Sequence, residues 1–193
     1  MRDYGARHVV ELGCGLSTRR ERLRDVDIAT WVDVDLPEVI ALRSEWGVSG
    51  GIGRSVTDHR WMDDLSPDLI VAEGLLYYLP RAEVDALLAA MRERFPGAAL
   101  LMDVIGANDF PGLLARTAEL DCPIQWKHEG DYADVLSSFG LTEITGYGPD
   151  QLTAEALARY WHRFDAKLQT GIYFAKSNPA YWAGRSGTIL GRL

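Results

Sequence analysis

Cysteine is nearly absent from this 193-residue chain, which holds only Cys14 and Cys122. Two thiols cannot build a disulfide framework, so a reduced, cytoplasmic setting is expected. Histidine is scarce too, with four residues, and no Cys/His spacing suggests a zinc site, so no metal is expected. Positive charge is in deficit. Twenty Lys and Arg against 28 Asp and Glu leave a net charge of −8, and the basic stripe that a phosphate backbone requires is missing; no nucleic-acid partner is expected. No apolar run approaches the length of a membrane span, and Met1-Arg2-Asp3-Tyr4-Gly5 does not read as a signal peptide, so no membrane association is expected. Repeats and low-complexity tracts are also lacking. The remainder, 47% hydrophobic and 25% charged, has core enough for one domain over 1–193 and is too short for two.

One stretch carries most of the information. Val9-Val10-Glu11-Leu12-Gly13-Cys14-Gly15-Leu16-Ser17-Thr18-Arg19 reads as a strand, a tight glycine turn and a helix start. Trp31-Val32-Asp33-Val34-Asp35-Leu36-Pro37 reads as a second strand ending in carboxylates. Glycines let backbone approach a ligand, and an acidic residue after the second strand can accept hydrogen bonds from ribose hydroxyls. The third glycine of the dinucleotide pattern G-x-G-x-x-G is replaced, and Glu11 precedes the turn. A pyrophosphate needs a bare helix N-terminus, whereas a sulfonium amino acid needs carboxylates and carbonyls. The pattern therefore favours S-adenosylmethionine over a nicotinamide dinucleotide. The plain alternative is a β-turn-α whose glycines serve packing alone.

Apolar runs and turn residues place strands near 8–13, 28–34, 52–56, 68–73, 98–105, 141–147 and 170–175. Helices are expected at 17–24 with Ser17 as N-cap, at 37–46 with Val39, Ile40, Leu42 and Trp46 mainly on one side, and from Pro80 to Phe95. Further helices are expected at 109–120, 131–138 and 153–163, with an irregular arm from Asn178. Such alternation implies an α/β fold with a doubly wound, mostly parallel sheet. Its ligands bind at the carboxyl ends of strands near the switch point in strand order. The glycine turn, Asp33, Asp35, the Ser55–Asp58 turn and Glu73 all fall on that edge.

These residues resemble the leucine carboxyl methyltransferase superfamily, and within it the bacterial polyketide-type O-methyltransferases. The resemblance rests on Val10–Arg19, on Asp33-Val34-Asp35-Leu36-Pro37-Glu38-Val39-Ile40, on Ser55-Val56-Thr57-Asp58 with Trp61, and on Ala72-Glu73-Gly74-Leu75-Leu76-Tyr77-Tyr78-Leu79-Pro80. Phe95-Pro96-Gly97 and Leu101-Met102-Asp103 extend it, so that it covers about residues 8–106. It implies a class I methyltransferase fold, a seven-stranded Rossmann-like sheet with helices on both faces, and S-adenosylmethionine as methyl donor. Residues 8–106 would form the donor-binding half, 107–177 the acceptor side and 178–193 an arm. Carried over by position, Gly13 and Gly15 flank the methionine part and Asp35 holds the ribose. Ser55 and Val56 lie beside adenine, with Asp58 in the same turn. Glu73 faces the methionine end near the sulfonium, and Tyr78 stands near the acceptor; Glu11, before the turn, is a further donor-binding candidate. Two departures matter: Ser17 replaces an Asp usual in the turn, and the helices that relatives carry before the first strand, as a lid, have no counterpart here.

A sulfonium donor is already activated, so the protein's work is alignment and exclusion of water. A hydroxyl acceptor wants a base and a carboxylate does not. Of His8, His59, His128 and His162, only His128 is a candidate near an acceptor. Glu73, ending an apolar strand, needs a partner, either a cationic ligand or a neighbouring arginine. The expected function is O-methylation of a small carboxylate or hydroxyl metabolite. The alternatives are a non-catalytic or truncated donor-binding domain serving as an accessory protein, and a Rossmann-type nucleotide enzyme. Exposed apolar surface where a lid would sit predicts self-association into a homo-oligomer.

Overall fold

The first strand, β1 (His8–Leu12), sends its apolar side chains to both sides of a sheet, which requires cover on both faces. Val10 and Leu12 join a large core with Ile70, Leu100, Met102 and Trp61, while Val9 packs with Trp31, Leu69, Val71 and Ala99. The computed structural model describes residues 5–48, 50–107, 117–147 and 187–193. In chain order its elements are β1, α1 (Arg19–Arg22), β2 (Thr30–Asp35), α2 (Pro37–Glu45), β3 (Ile52–Gly53), β4 (Leu69–Ala72), α3 (Arg81–Arg94), β5 (Ala99–Val104), α4 (Tyr132–Ser138), β6 (Thr142–Tyr147) and β7 (Gly187–Arg192). Single 3-10 turns stand at His59–Met62 and Leu76–Tyr78.

The sheet runs β3-β2-β1-β4-β5-β7-β6. Strands β1 to β5 pair in parallel, and β7 is antiparallel to both β5 and β6. The order reverses between β1 and β4, which puts the switch point where Gly13 and Glu73 leave the sheet. Helix α3 buries Val84, Leu87, Leu88 and Met91, the amphipathic spacing expected of it, and stops before Gly97, whose φ is +85°. Trp61 is fully buried, and its indole donates to the Val56 carbonyl at 2.9 Å.

The mostly parallel α/β sheet is as expected, but four local expectations change. Helix α2 does not bury the side bearing Leu42 and Trp46, which are 39% and 68% exposed; its one buried residue is Arg43. The third strand is only Ile52–Gly53; β2 ends at Asp35, whose carbonyl accepts the Arg54 amide at 2.8 Å as the last bond between the two strands. The N-cap of α1 is Thr18 rather than Ser17, although the Ser17 hydroxyl accepts the Arg19 amide at 3.2 Å. Part of the expected irregular arm is β7, a six-residue ladder on β5 with Ile189 fully buried. The strand expected at 170–175, the helix at 153–163 and most of the helix at 109–120 lie outside the described residues. Among the described residues no helix is long and apolar enough to cross a membrane.

Candidate functional site

The turn after β1 is built with left-handed glycines, Gly13 at φ +61° and Gly15 at φ +49°. The amides of Gly13, Gly15 and Ser17 point into the protein. Gly13 N–H donates to the Val34 carbonyl at 2.8 Å, Ser17 N–H to the Cys14 carbonyl at 2.9 Å, and Gly15 N–H to Asp35 Oδ2 at 2.7 Å. Amides so engaged are withdrawn from any pyrophosphate. A Cβ on Gly13 would lie 2.9 Å from Leu75 Cδ1 and carry a left-handed φ. Gly13→Ala is therefore expected to lower stability by about 1–2 kcal/mol, read as a lower urea midpoint. Cys14, buried in the same turn, has its thiol pushed up to about 12 by desolvation, so it stays protonated and is no nucleophile.

Two carboxylates leave β2, with different fates. Asp35 is half-buried at the strand end, accepting Leu36 N–H at 2.8 Å as well as Gly15 N–H. A carboxylate has about four acceptor positions, so two remain for hydroxyl donors. Asp33, a candidate ligand from the sequence, is 3% exposed with both oxygens occupied. Trp31 Nε1 donates to Oδ1 at 2.8 Å and Arg43 Nη2 to Oδ2 at 2.8 Å. Arg43 of α2 and Trp31 cover it, so it supports the turn from below.

Across the switch point, Arg19 bridges Glu11 and Glu73, one guanidinium nitrogen on each. Glu11 is buried and Glu73 exposed. Desolvation raises the Glu11 carboxyl above its ordinary value, against the opposing charge of Arg19 and a hydrogen bond from Ser17. The neighbouring arginine expected as an alternative partner of Glu73 is thus in place. The cluster of two carboxylates and one guanidinium carries a formal charge of −1 when both acids are ionised.

The turn after β3 holds Ser55, Val56 and Asp58. Ser55 is half-buried, its hydroxyl 2.8 Å from that of Thr57. Val56 is a core side chain. Asp58 is committed to arginines, Arg60 at 2.6 Å and Arg54 at 2.9 Å. The Arg60 hydrogen bond chiefly holds its carboxyl well below the usual range. That engagement makes Asp58 a brace of the turn, not a free ligand group.

On the other side, Tyr78 is 36% exposed, and its ring centroid lies 4.7 Å from that of buried Tyr77. Burial and then the charge of Asp103 push the Tyr77 phenol well above its ordinary value. Asp103, raised mainly by burial, accepts Gly74 N–H at 2.9 Å and so ties the ends of β4 and β5 together. His128, the histidine candidate, is buried. It is 7% exposed, its Nδ1 lies 3.0 Å from the Gly130 carbonyl, and its ring packs 5.7 Å from Tyr132. Its backbone continues the sheet edge, exchanging bonds with Ile105 and Ala107, so it is a packing residue of that wall. His8 bonds Thr30 at the opposite, amino end of the sheet. A polar groove of about 700 Å³ also lies at that end, beside Arg7, His8, Asp68 and Arg192, away from the carboxyl edge of the sheet.

No family model matches the chain. It is 38% identical over 104 residues to the tetracenomycin polyketide synthesis O-methyltransferase TcmP of Streptomyces glaucescens, covering 50% of this chain and 38% of that protein. To the S-adenosyl-L-methionine-dependent methyltransferase dpfgK of Gibberella zeae it is 31% identical over 108 residues, covering 49% and 36%. The chain thus spans well under half the length of these two relatives. An S-adenosylmethionine-dependent methyltransferase from Archaeoglobus fulgidus superposes with a TM-score of 0.63 at 13% identity, covering 100% of this chain and 88% of that one. Human N-acetylserotonin methyltransferase in complex with S-adenosylmethionine gives 0.60 at 16%, covering 100% and 49%. The fold is that of the S-adenosylmethionine-dependent methyltransferases.

On this methyltransferase fold, Gly13, Gly15, Asp35, Glu11 and Glu73 converge at one sheet edge, and Asp35 pairs with Gly53 just before the Ser55 turn. Two participants carried no assigned role in the sequence reading: Arg43 and Asp103. Asp103 had a local signal, a carboxylate at the end of an apolar strand. Arg43 had none, because a buried arginine on a helix looks like a solvated one until its partners are known. Among the described residues, no group of three or more His, Cys, Asp or Glu could hold a metal ion.

Proposed function

We propose that the chain binds S-adenosylmethionine and directs its methyl group to an oxygen of a small acceptor, a carboxylate or hydroxyl of a polyketide-like metabolite. The observation that carries this reading is the division of labour at the switch point. The Gly13, Gly15 and Ser17 amides are spent on the protein, and carboxylates stand at the ligand edge: Asp35 for a ribose and the −1 cluster of Glu11, Arg19 and Glu73 for a methionine end. With its sulfonium, ammonium and carboxylate, that end carries a net charge of +1, so the donor set fits. When bound, the donor supplies a methyl group already activated by the sulfonium.

In this reading Gly13 and Gly15 let the backbone approach the methionine part, and Ser55 and Val56 border the adenine. Tyr78 with Tyr77 forms the acceptor wall, and its task is to align the acceptor oxygen and exclude water. A carboxylate acceptor is favoured over a hydroxyl, because it needs no base and His128 faces the interior. The polyketide assignment draws on the name of TcmP, and a cytoplasmic location on the scarcity of cysteine.

The test is calorimetric titration with S-adenosylmethionine and S-adenosylhomocysteine, followed by transfer of labelled methyl to a panel of aromatic carboxylates and phenols. Micromolar binding with ester formation is the expected result. Binding without transfer to any acceptor would favour the accessory role, and no binding would end the methyltransferase reading.

A further inference from the structure

Arg43 is an unusual residue to find beneath a ligand-binding turn. It comes from α2, is 2% exposed, and pairs with Asp33, itself 3% exposed. Its Nη1 donates to two carbonyls of the turn, Gly15 at 2.8 Å and Ser17 at 3.0 Å, while Nη2 holds Asp33. Its Nε is buried without a hydrogen-bond partner. A buried ion pair with an orphan donor is poor design for stability, since a well-packed apolar pair commonly does as well or better. The arrangement is accounted for by what the guanidinium holds.

What it holds is the turn's geometry. Gly15 is gripped on both sides: its N–H by Asp35 and its carbonyl by Arg43. The second carbonyl, two residues on, is fixed by the same nitrogen. Strand β2 therefore sets the turn directly through Asp35 and the Val34 carbonyl, and indirectly through Asp33 and Arg43. Trp31, on the same strand, orients Asp33 in turn. A planar guanidinium can serve two carbonyls and a carboxylate at once, as an ammonium cannot.

We infer that Arg43, oriented by Asp33, is a positioning residue that holds the Gly13–Ser17 turn in its donor-binding shape, so that donor affinity is set from α2 without contact. The inference rests on the donor reading proposed above. It predicts that removing both charges together preserves the fold while weakening the ligand.

The experiment compares the intact chain with Asp33→Asn/Arg43→Met and Arg43→Lys. S-adenosylhomocysteine affinity is read by calorimetry, and amide hydrogen exchange is followed at 13–18 and in β4 and β5. The double variant should melt within about 3 °C of the intact chain yet bind roughly tenfold to a hundredfold more weakly. Exchange should quicken at 13–18 and stay unchanged in β4 and β5; Arg43→Lys should fall between. A folded double variant with intact affinity overturns the inference. If that variant does not fold, Arg43→Lys decides, since unchanged binding and unchanged exchange in it overturn the inference equally. An intact chain that binds no S-adenosylhomocysteine overturns the donor reading itself and this inference with it, a result distinct from intact and variant chains binding alike.

Discussion

An Asp35→Ala chain should bind S-adenosylhomocysteine at least about a hundredfold more weakly than the intact chain. Each hydrogen bond from a ribose hydroxyl to an ionised carboxylate contributes roughly 1.5–3 kcal/mol, and Asp35 has room for two beside the amides of Gly15 and Leu36. The substitution also frees the Gly15 amide, so part of any loss could come from the turn. A ligand lacking both ribose hydroxyls separates the two. It should bind the intact chain as weakly as the natural ligand binds the variant, and the variant should not distinguish the two ligands at all. If Asp35→Ala still discriminates between them, the hydroxyls are read by some other group. Equal binding of the natural ligand by intact and variant chains would remove Asp35 from the site.

The front of this site was legible because its signals are local. Glycines at positive φ, an apolar strand before them and carboxylates after the next strand are properties of a few adjacent residues, and the structure assembles them where parallel topology puts strand ends. What was not legible depends on partners distant in sequence. Period-2 alternation puts Asp33 and Asp35 on the same face; only the position of α2 shows that Asp33 lies under cover while Asp35 reaches the rim. Apolar spacing in 37–46 put Val39, Ile40, Leu42 and Trp46 mainly on one side, yet α2 buries Arg43, because a periodicity argument counts apolar residues and cannot weigh an arginine carrying its own buried partner. Strand β7 was missed for a related reason. Gly187 and Gly191 break the usual strand composition, yet a Cβ on either would press on neighbours, Tyr132 for the first and Leu141 for the second. Close packing, not weak strand propensity, accounts for those glycines. His128 had the right residue type in the right region, but burial decides whether an imidazole can exchange protons with a ligand.

Arg19→Met should be the most destabilising single change at the carboxyl edge, with a loss of about 3 kcal/mol at neutral pH. The reason is Glu11, which is buried and relies on Arg19 for its opposing charge. Glu73 loses the same partner at little cost, because it is exposed and water replaces the guanidinium. Removing Arg19 raises the folded-state pKa of Glu11 further above its ordinary value of 4.5. A carboxyl whose folded pKa lies above its unfolded one binds more protons in the native state. Stability is then fully present below the unfolded value and falls as pH rises through the folded one. The gap in urea midpoint between Arg19→Met and the intact chain should therefore be small near about pH 4 and widen towards about pH 8. Glu11→Gln in the same chain should recover most of the loss and flatten that dependence, because it removes the stranded charge. A gap independent of pH would mean that Arg19 contributes packing rather than charge. No recovery on Glu11→Gln would place the stranded carboxylate elsewhere. The same pairing bears on function: with Arg19 absent, the edge carries two uncompensated carboxylates, which favour a cationic methionine end but leave its carboxylate without a partner. Arg19→Met should therefore discriminate more strongly than the intact chain in favour of the sulfonium donor over its neutral thioether product.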